Sequence, residues 1–483
     1  AGYNIAIGYD AGKAVTTGVQ NTIIGGLAGD ALTTGSFNVA VGYSALSTED
    51  ENGRNIAIGY FALNAQDAGA DAYNVAIGFK AGENVTTGTQ NTIVGGLAGD
   101  AITTGGSNVA VGYQTLSTED TGTRNTAVGY QALRDLNYDG TGHNVAVGYQ
   151  SGVLVSTGVQ NTIVGALAGD ALTTGGYNVA IGYGALSAED DGSYNTAVGR
   201  GALQTQDAGN AYNTALGYNT GNAVTTGVQN TLIGGEAGDA LTTSSYNTAL
   251  GYRALTSEDT DGSNTAIGYK ALAVQDGGSL NTAVGHQAGD AITDGDNNTL
   301  VGGGAGGAIT TGTNNICVGQ ASGLVLTTGN NNVYIGRDLD ASASGVNNEI
   351  VIGEGTAGNG SNTVTLGNGS VSGLHCQVSS ISALSDKRDK TNIEDSEYGL
   401  NIIEDLKPVT FEWDQRDGNR KGLKDVGFIA QDLQELDDDY IRLVESSDPE
   451  KLQATYGRLI PIMAKAIQEL SAEVKELKKQ ING

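Results

Sequence analysis

The chain has 483 residues and a formal net charge of −29, with 24 Lys+Arg against 53 Asp+Glu. Residues 385–483 hold 15 basic and 22 acidic side chains, which leaves 9 and 31, a net −22, on the first 384. So acidic a surface repels a phosphate backbone, so nucleic-acid binding is disfavoured. No run of 18 apolar residues exists to insert into a membrane. The opening Ala1-Gly2-Tyr3-Asn4 lacks the charged and apolar regions of a signal peptide. Cys317 and Cys376 form neither a metal spacing nor a disulfide framework, and are expected to be buried free thiols.

From Asn4 onward the sequence repeats itself. A core of Asn-x-(Ala/Ile)-(Val/Ile/Leu)-Gly starts at Asn4, Asn21, Asn38 and Asn55, resumes at Asn74, and continues to Asn332 with frayed copies near Asn348 and Asn362. The step is 17 residues, stretched to 18 or 19 at the end of a four-copy block, as between Asn55 and Asn74. Each copy has one short alternating run followed by a Gly or polar turn, which is strand chemistry. A unit this small cannot bury a core of its own and must stack on its neighbours as one coil of a solenoid. In-register stacking predicts Asn over Asn, an interior of Ala, Val, Ile and Thr, and a rod of roughly 100 Å at the ~4.8 Å strand spacing. So thin a core predicts that several chains bundle together.

Aromatic residues follow the repeat Gly in many copies, among them Tyr9, Tyr43, Tyr113, Tyr130, Tyr149 and Tyr183. They are expected to pack between coils or chains, with a ligand-binding stripe as the other reading. Acidic loops recur once per block, at Thr48–Gly53, Glu119–Gly122, Glu189–Gly192 and Glu258–Gly262. Solvated turns are the ordinary reading. Clustered hard oxygens also make Asp50, Asp120, Asp190 and Asp259 candidates for Ca²⁺, the one cofactor the sequence suggests. Asp30, Asp100 and Asp170 close Leu-Ala-Gly-Asp turns and are expected to be turn carboxylates. No spaced carboxylate pair stands out as a glycosidase site.

The repeat resembles the head repeats of trimeric autotransporter adhesins over residues 1 to about 370. That resemblance implies a trimer of left-handed parallel β-rolls, although the step of 17 exceeds the family's common repeat. The family's membrane-anchoring barrel has no counterpart here, which argues against an autotransporter.

At Ser385 the chain changes character. All three prolines (Pro408, Pro449, Pro461), Trp413 and Met463 lie beyond it, after a linker at 371–384. Tyr398–Leu406 reads as a helix stopped by Pro408, Val409–Trp413 as a strand, and Val426–Leu433 as a strand running into a helix. Ile460, Met463, Ile467, Leu470, Val474, Leu477 and Ile481 follow a 3,4 spacing, which predicts a coiled coil over about 456–482. Its Ile/Leu seam on its own favours a dimer.

The motifs Ser385-Asp386-Lys387-Arg388-Asp389-Lys390-Thr391-Asn392-Ile393, Leu406-Lys407-Pro408-Val409-x-Phe411-x-Trp413, Gly427-Phe428-Ile429-Ala430-Gln431 and Tyr456–Pro461 resemble the endosialidase-type intramolecular chaperone. This is a self-cleaving serine peptidase at the ends of phage tail spikes and fibres. His143, His286 and His375 all precede Ser385 and no Cys follows it, so a Ser with a Lys base is the pair open to the segment. The resemblance implies Ser385 as nucleophile, Lys390 as general base and cleavage between Leu384 and Ser385. Asp389 stands where many members carry Leu.

The expected molecule is mainly β: a trimeric β-solenoid shaft at 1–370, followed by a small α+β chaperone at 385–483 ending in a coiled-coil helix. The expected role is a viral tail fibre or spike for host attachment, in a virion assembled in the host cytoplasm. Its partners would be two further copies, other tail proteins and a host glycan or protein receptor. A bacterial adhesin or injection-device fibre, and a glycan-degrading spike, are the competing classes.

Overall fold

The computed structural model describes residues 2–257, 262–371, 373–375, 385–414, 421–446 and 452–482. Asp259, Cys376, Leu384 and most of the 371–384 linker lie outside them. The chain divides into two units, Ala1–Asn368 and Gly369–Gly483.

The first unit is the expected parallel β-solenoid of 17-residue turns. Every coil contributes one three-residue strand, from β1 (Ile5–Ile7) to β22 (Val364–Leu366), numbered in chain order. Each strand pairs in parallel with the next, in register, as Thr22, Ile23 and Ile24 lie beside Val39, Ala40 and Val41. The asparagines form the predicted ladder. Asn21 N–H donates to Asn4 Oδ1 (2.9 Å), Asn38 N–H to Asn21 Oδ1 (2.9 Å), and so on to Glu349 N–H on Asn332 Oδ1 (2.8 Å). The amide nitrogens reach the other way, Asn21 Nδ2 donating to Gly35 O at 2.8 Å. One buried side chain thus pairs backbone groups on two coils, which explains why the position is Asn in almost every copy.

The repeat Gly is fixed by two constraints at once. At Gly165 φ is +137°, and a Cβ there would lie 2.5 Å from Gly182 O of the next coil. No side chain fits that backbone or that gap.

The core differs from the expected one. A three-residue strand points only its middle residue inward, so Ile23, Ala40, Ala57 and Ala76 are buried while flanking Val and Thr are not. The turns supply the rest of the core with Ala28, Leu32, Ala45, Leu46 and Leu63. The large middle residue returns every fourth coil, at Ile23, Ile93, Ile163 and Leu232, and the flanking turns carry glycine there: a Cβ on Gly12 would lie 2.8 Å from Ile23 Cδ1 and one on Gly29 3.5 Å from it. The packing period is therefore four coils rather than one. The third residue of every strand is Val, Ile or Leu and is nowhere buried, so an aliphatic row runs along the outside of all 22 strands. Parallel sheets are usually covered on both faces.

The second unit contains α1 (Leu400–Asp405), an antiparallel pair β23 (Val409–Glu412) and β24 (Lys424–Gly427), α2 (Ala430–Gln434), a two-residue pair β25 (Val444–Glu445) and β26 (Gln453–Ala454), and α3 (Leu459–Asn482). Leu433, Ile441, Leu443, Val444, Leu459 and Ile462 form its core. Glu469 of α3 accepts from Leu400 N at 2.7 Å and so caps α1 from outside. Pro461 sits in the first turn of α3, where its missing N–H breaks no helical bond. α3 has two apolar sides. Leu459, Ile462 and Ala466 face inward, a side the heptad reading misses. The heptad residues point away from the unit, with Ile460 64 %, Ile467 67 % and Ile481 80 % exposed.

Candidate functional site

The Ser385–Lys390 segment folds on itself through a short capping motif. Asp386 Oδ1 accepts from Arg388 N (2.9 Å) and its carboxylate pairs with the Arg388 guanidinium (2.5 Å), which holds Lys387–Asp389 as a single 3₁₀ turn. The Arg388 side chain and then its N–H keep the Asp386 carboxyl below the usual carboxylate range. Lys390 leaves the turn in extended conformation, with its N–H on Lys387 O at 3.2 Å. Five residues of chain are thereby folded back until Lys390 Nζ donates to Ser385 Oγ at 2.7 Å. The two residues singled out by their spacing thus touch, at the distance a nucleophile–base pair requires.

Both residues are exposed. A lysine takes a proton only when burial or a cationic neighbour destabilises its charge. The chain alone positions the pair without desolvating it. Leu384, on the acyl side of the expected cut, lies outside the described residues.

Residues 385–442 match the chaperone of endosialidase family, whose members are self-cleaving peptidase domains. The match ends before Tyr456–Pro461 and α3, which the sequence motifs joined to the same domain. No curated protein and no solved structure matches the chain. A chaperone-of-endosialidase domain thus follows an N-terminal β-solenoid of about 21 turns.

The solenoid carries its own unusual groups. Its aromatic side chains stack between coils as ladders: Tyr43, Tyr60 and Phe79 are spaced 5.6 and 5.5 Å apart, and Tyr113, Tyr130 and Tyr149 5.7 and 5.3 Å apart. Arg200 takes the ring's place between Tyr183 and Tyr218, at 5.8 and 5.6 Å. Cys317 is buried as expected, and burial pushes its thiol up to about 12. Asp30, Asp100 and Asp170 lie in turns, each with Oδ1 buried and without a partner among the described residues.

The acidic loops are also more than solvated turns. Glu49, Glu119 and Glu189 are fully buried at the same place in successive blocks. Burial raises all three carboxyls above their ordinary value. The sequence reading stressed the neighbouring aspartates and missed these glutamates; the 70-residue recurrence of a Glu before each Asp was the signal available. Of the calcium candidates, Asp50 lies with Glu49 and Asp67, and Asp190 with Glu189 and Asp191. Among the described residues, Asp120 keeps Oδ1 buried and unpartnered outside any such group, and Asp259 lies outside them.

Proposed function

We propose that the chain is a trimeric fibre or spike subunit whose C-terminal domain assembles three copies and then cuts itself off at Leu384–Ser385. One observation carries this reading: each unit leaves a continuous apolar row uncovered. Along the solenoid it is the Val/Ile/Leu at the third position of all 22 strands. On α3 it is Ile460, Met463, Ile467, Leu470, Val474, Leu477 and Ile481. Rows of this length and regularity are covered best by the same rows of further copies, which lets identical coils meet identical coils.

Ser385 is the proposed nucleophile. Its Oγ attacks the Leu384 carbonyl, Lys390 accepts the hydroxyl proton, and the Ser385 amine leaves with a proton; water then hydrolyses the resulting ester. Lys390 is solvated in the single chain, so partner chains closing over the segment would supply the desolvation that makes it a base. Cleavage then follows assembly and makes it irreversible, locking a trimer whose parts no longer hold the tool that built them. Exposed rings along the coils suit contact with a host-surface glycan or protein, which supports attachment as the role of the released shaft. Its place would be a virion tail outside the cell, after assembly in the host cytoplasm. The reading is tested by intact and native mass of wild type and Ser385→Ala. Wild type should give a trimer of cleaved shafts and Ser385→Ala a trimer of full-length chains. An uncleaved wild-type trimer removes the peptidase, and a cleaved monomer removes the assembly role.

A further inference from the structure

We propose that the solenoid binds a calcium ion between the third and fourth coils of the first block. Of two acidic groups, at Glu49, Asp50 and Asp67 and at Glu189, Asp190 and Asp191, only the first is the site.

In the first site Glu49, Asp50 and Asp67 each place a carboxylate oxygen within 4.8 Å of the other two. Twice a Ca²⁺–oxygen distance is about 4.6–5.2 Å, so three such oxygens can share one ion. Glu49 is fully buried. Its Oε1 accepts from both Asn52 N and Asn52 Nδ2 at 3.0 Å, whereas Oε2 is buried with no partner. A buried carboxylate oxygen left so, beside two further carboxylates, is a place that a cation can fill. The first unit has only nine Lys and Arg to offer for its 31 acids.

In the third block Glu189, Asp190 and Asp191 also bring carboxylate oxygens within 4.8 Å of one another. Glu189 is satisfied there, its oxygens accepting from Gly192 N (2.8 Å) and Gln206 Nε2 (2.8 Å). That group therefore lacks the unpartnered buried oxygen that marks the first.

The second block serves as an internal control. Glu119 and Asp120 recur there, but Asn137 occupies the place of Asp67 and Asp207, and no acidic group of three forms around it among the described residues. A third carboxylate together with an unpartnered buried Glu oxygen separates the site from a turn. An all-oxygen, carboxylate-rich set with loop backbone nearby suits Ca²⁺ over softer metals. The ion would tie the extended turn of the fourth coil to the coil before it.

The test uses the full chain freed of metal with a chelator and titrated with CaCl₂ by calorimetry. One ion per chain is expected, in the ~0.1–1 mM range of extracellular sites. Asp67→Asn should remove it, whereas Asp191→Asn should leave it. No binding up to about 5 mM overturns the proposal. So does binding unchanged by Asp67→Asn in folded protein, or binding lost in Asp191→Asn.

Discussion

The two units solve the problem of a small core in opposite ways. The C-terminal unit gathers a mixed set of large side chains, Leu433, Ile441, Leu443, Val444, Leu459 and Ile462, from elements far apart in sequence. The solenoid uses Ala, Ile and Leu from adjacent coils only, and hands much of its cohesion to hydrogen bonds along the Asn ladder. The first strategy gives each residue a unique place. The second gives a run of coils whose neighbouring blocks look alike from outside, and under the proposed trimer such a run would need help to align with its copies. The helix that supplies uncovered heptads belongs to the unit with the unique fold.

Two predictions break this comparison at its strongest points. The largest effect is expected at Ser385 and Lys390. Ser385→Ala, Lys390→Met and Lys390→Arg should each leave a full-length chain on a denaturing gel, with rate losses of at least about 10³-fold, since a nucleophile and its base act as a unit. If Lys390→Met still cleaves, its contact with Ser385 is structural. Next in size is the seam: Ile467→Glu with Val474→Glu places charges on the exposed row of α3 without touching Leu459, Ile462 or Ala466. The second unit should keep its circular dichroism while native mass shows monomers, and cleavage should fall with assembly. Persisting trimers would assign assembly to the solenoid.

Much of this was legible in the sequence because repetition amplifies weak signals. One Asn-x-Ala-Val-Gly would mean little; twenty fix strand, turn and ladder together. The Ser385–Lys390 contact followed from motif and spacing, with the 3₁₀ turn as the physical reason for a gap of five. Three things were not legible. A three-residue strand has a single inward position, so Val and Thr that look like core lie outside. The four-copy block shows in the 18- and 19-residue steps, but that it is a packing period set by Ile23, Ile93 and Ile163 does not. In the proposed trimer, sliding one copy by one coil would set Gly26 against the place of Tyr43, while sliding by a block would not. Finally, buried Glu49, Glu119 and Glu189 read as surface, because charged residues in Gly-rich turns are normally solvated.

A third prediction sharpens the ladder side of the comparison. Asn178 N–H donates to Asn161 Oδ1 (2.9 Å), its Nδ2 donates to Gly192 O (2.8 Å), and its Oδ1 accepts from Asn195 N (2.9 Å). Asn178→Ala leaves two buried backbone groups unpaired and should cost about 2–5 kcal/mol. Asn178→Asp keeps the acceptor but loses the donor and should fall between. Urea melts of the shaft would show it; a cost below about 0.5 kcal/mol would mean that strand pairing alone holds the coils.

The smallest effect concerns pH and separates a protonated from a metal-bound solenoid. Glu49, Glu119 and Glu189 have folded values raised, first by burial, above the ordinary 4.5. The folded state therefore binds protons that the unfolded state releases, so stability grows as pH falls through the raised values. The gain is complete near the unfolded value and lost again as pH rises toward neutrality. In chelator, the melting temperature of the shaft should climb by a few degrees between pH 7 and pH 5, on the order of 1 kcal/mol in all. Glu119→Gln should raise stability at pH 7 and flatten part of that slope, because a neutral amide keeps the shape without the buried charge. Saturating Ca²⁺ should flatten the contribution of Glu49 but not that of Glu119, whose block lacks the third carboxylate. A shaft that loses stability on acidification in chelator would mean that these glutamates are held as ions by partners closer than any described here.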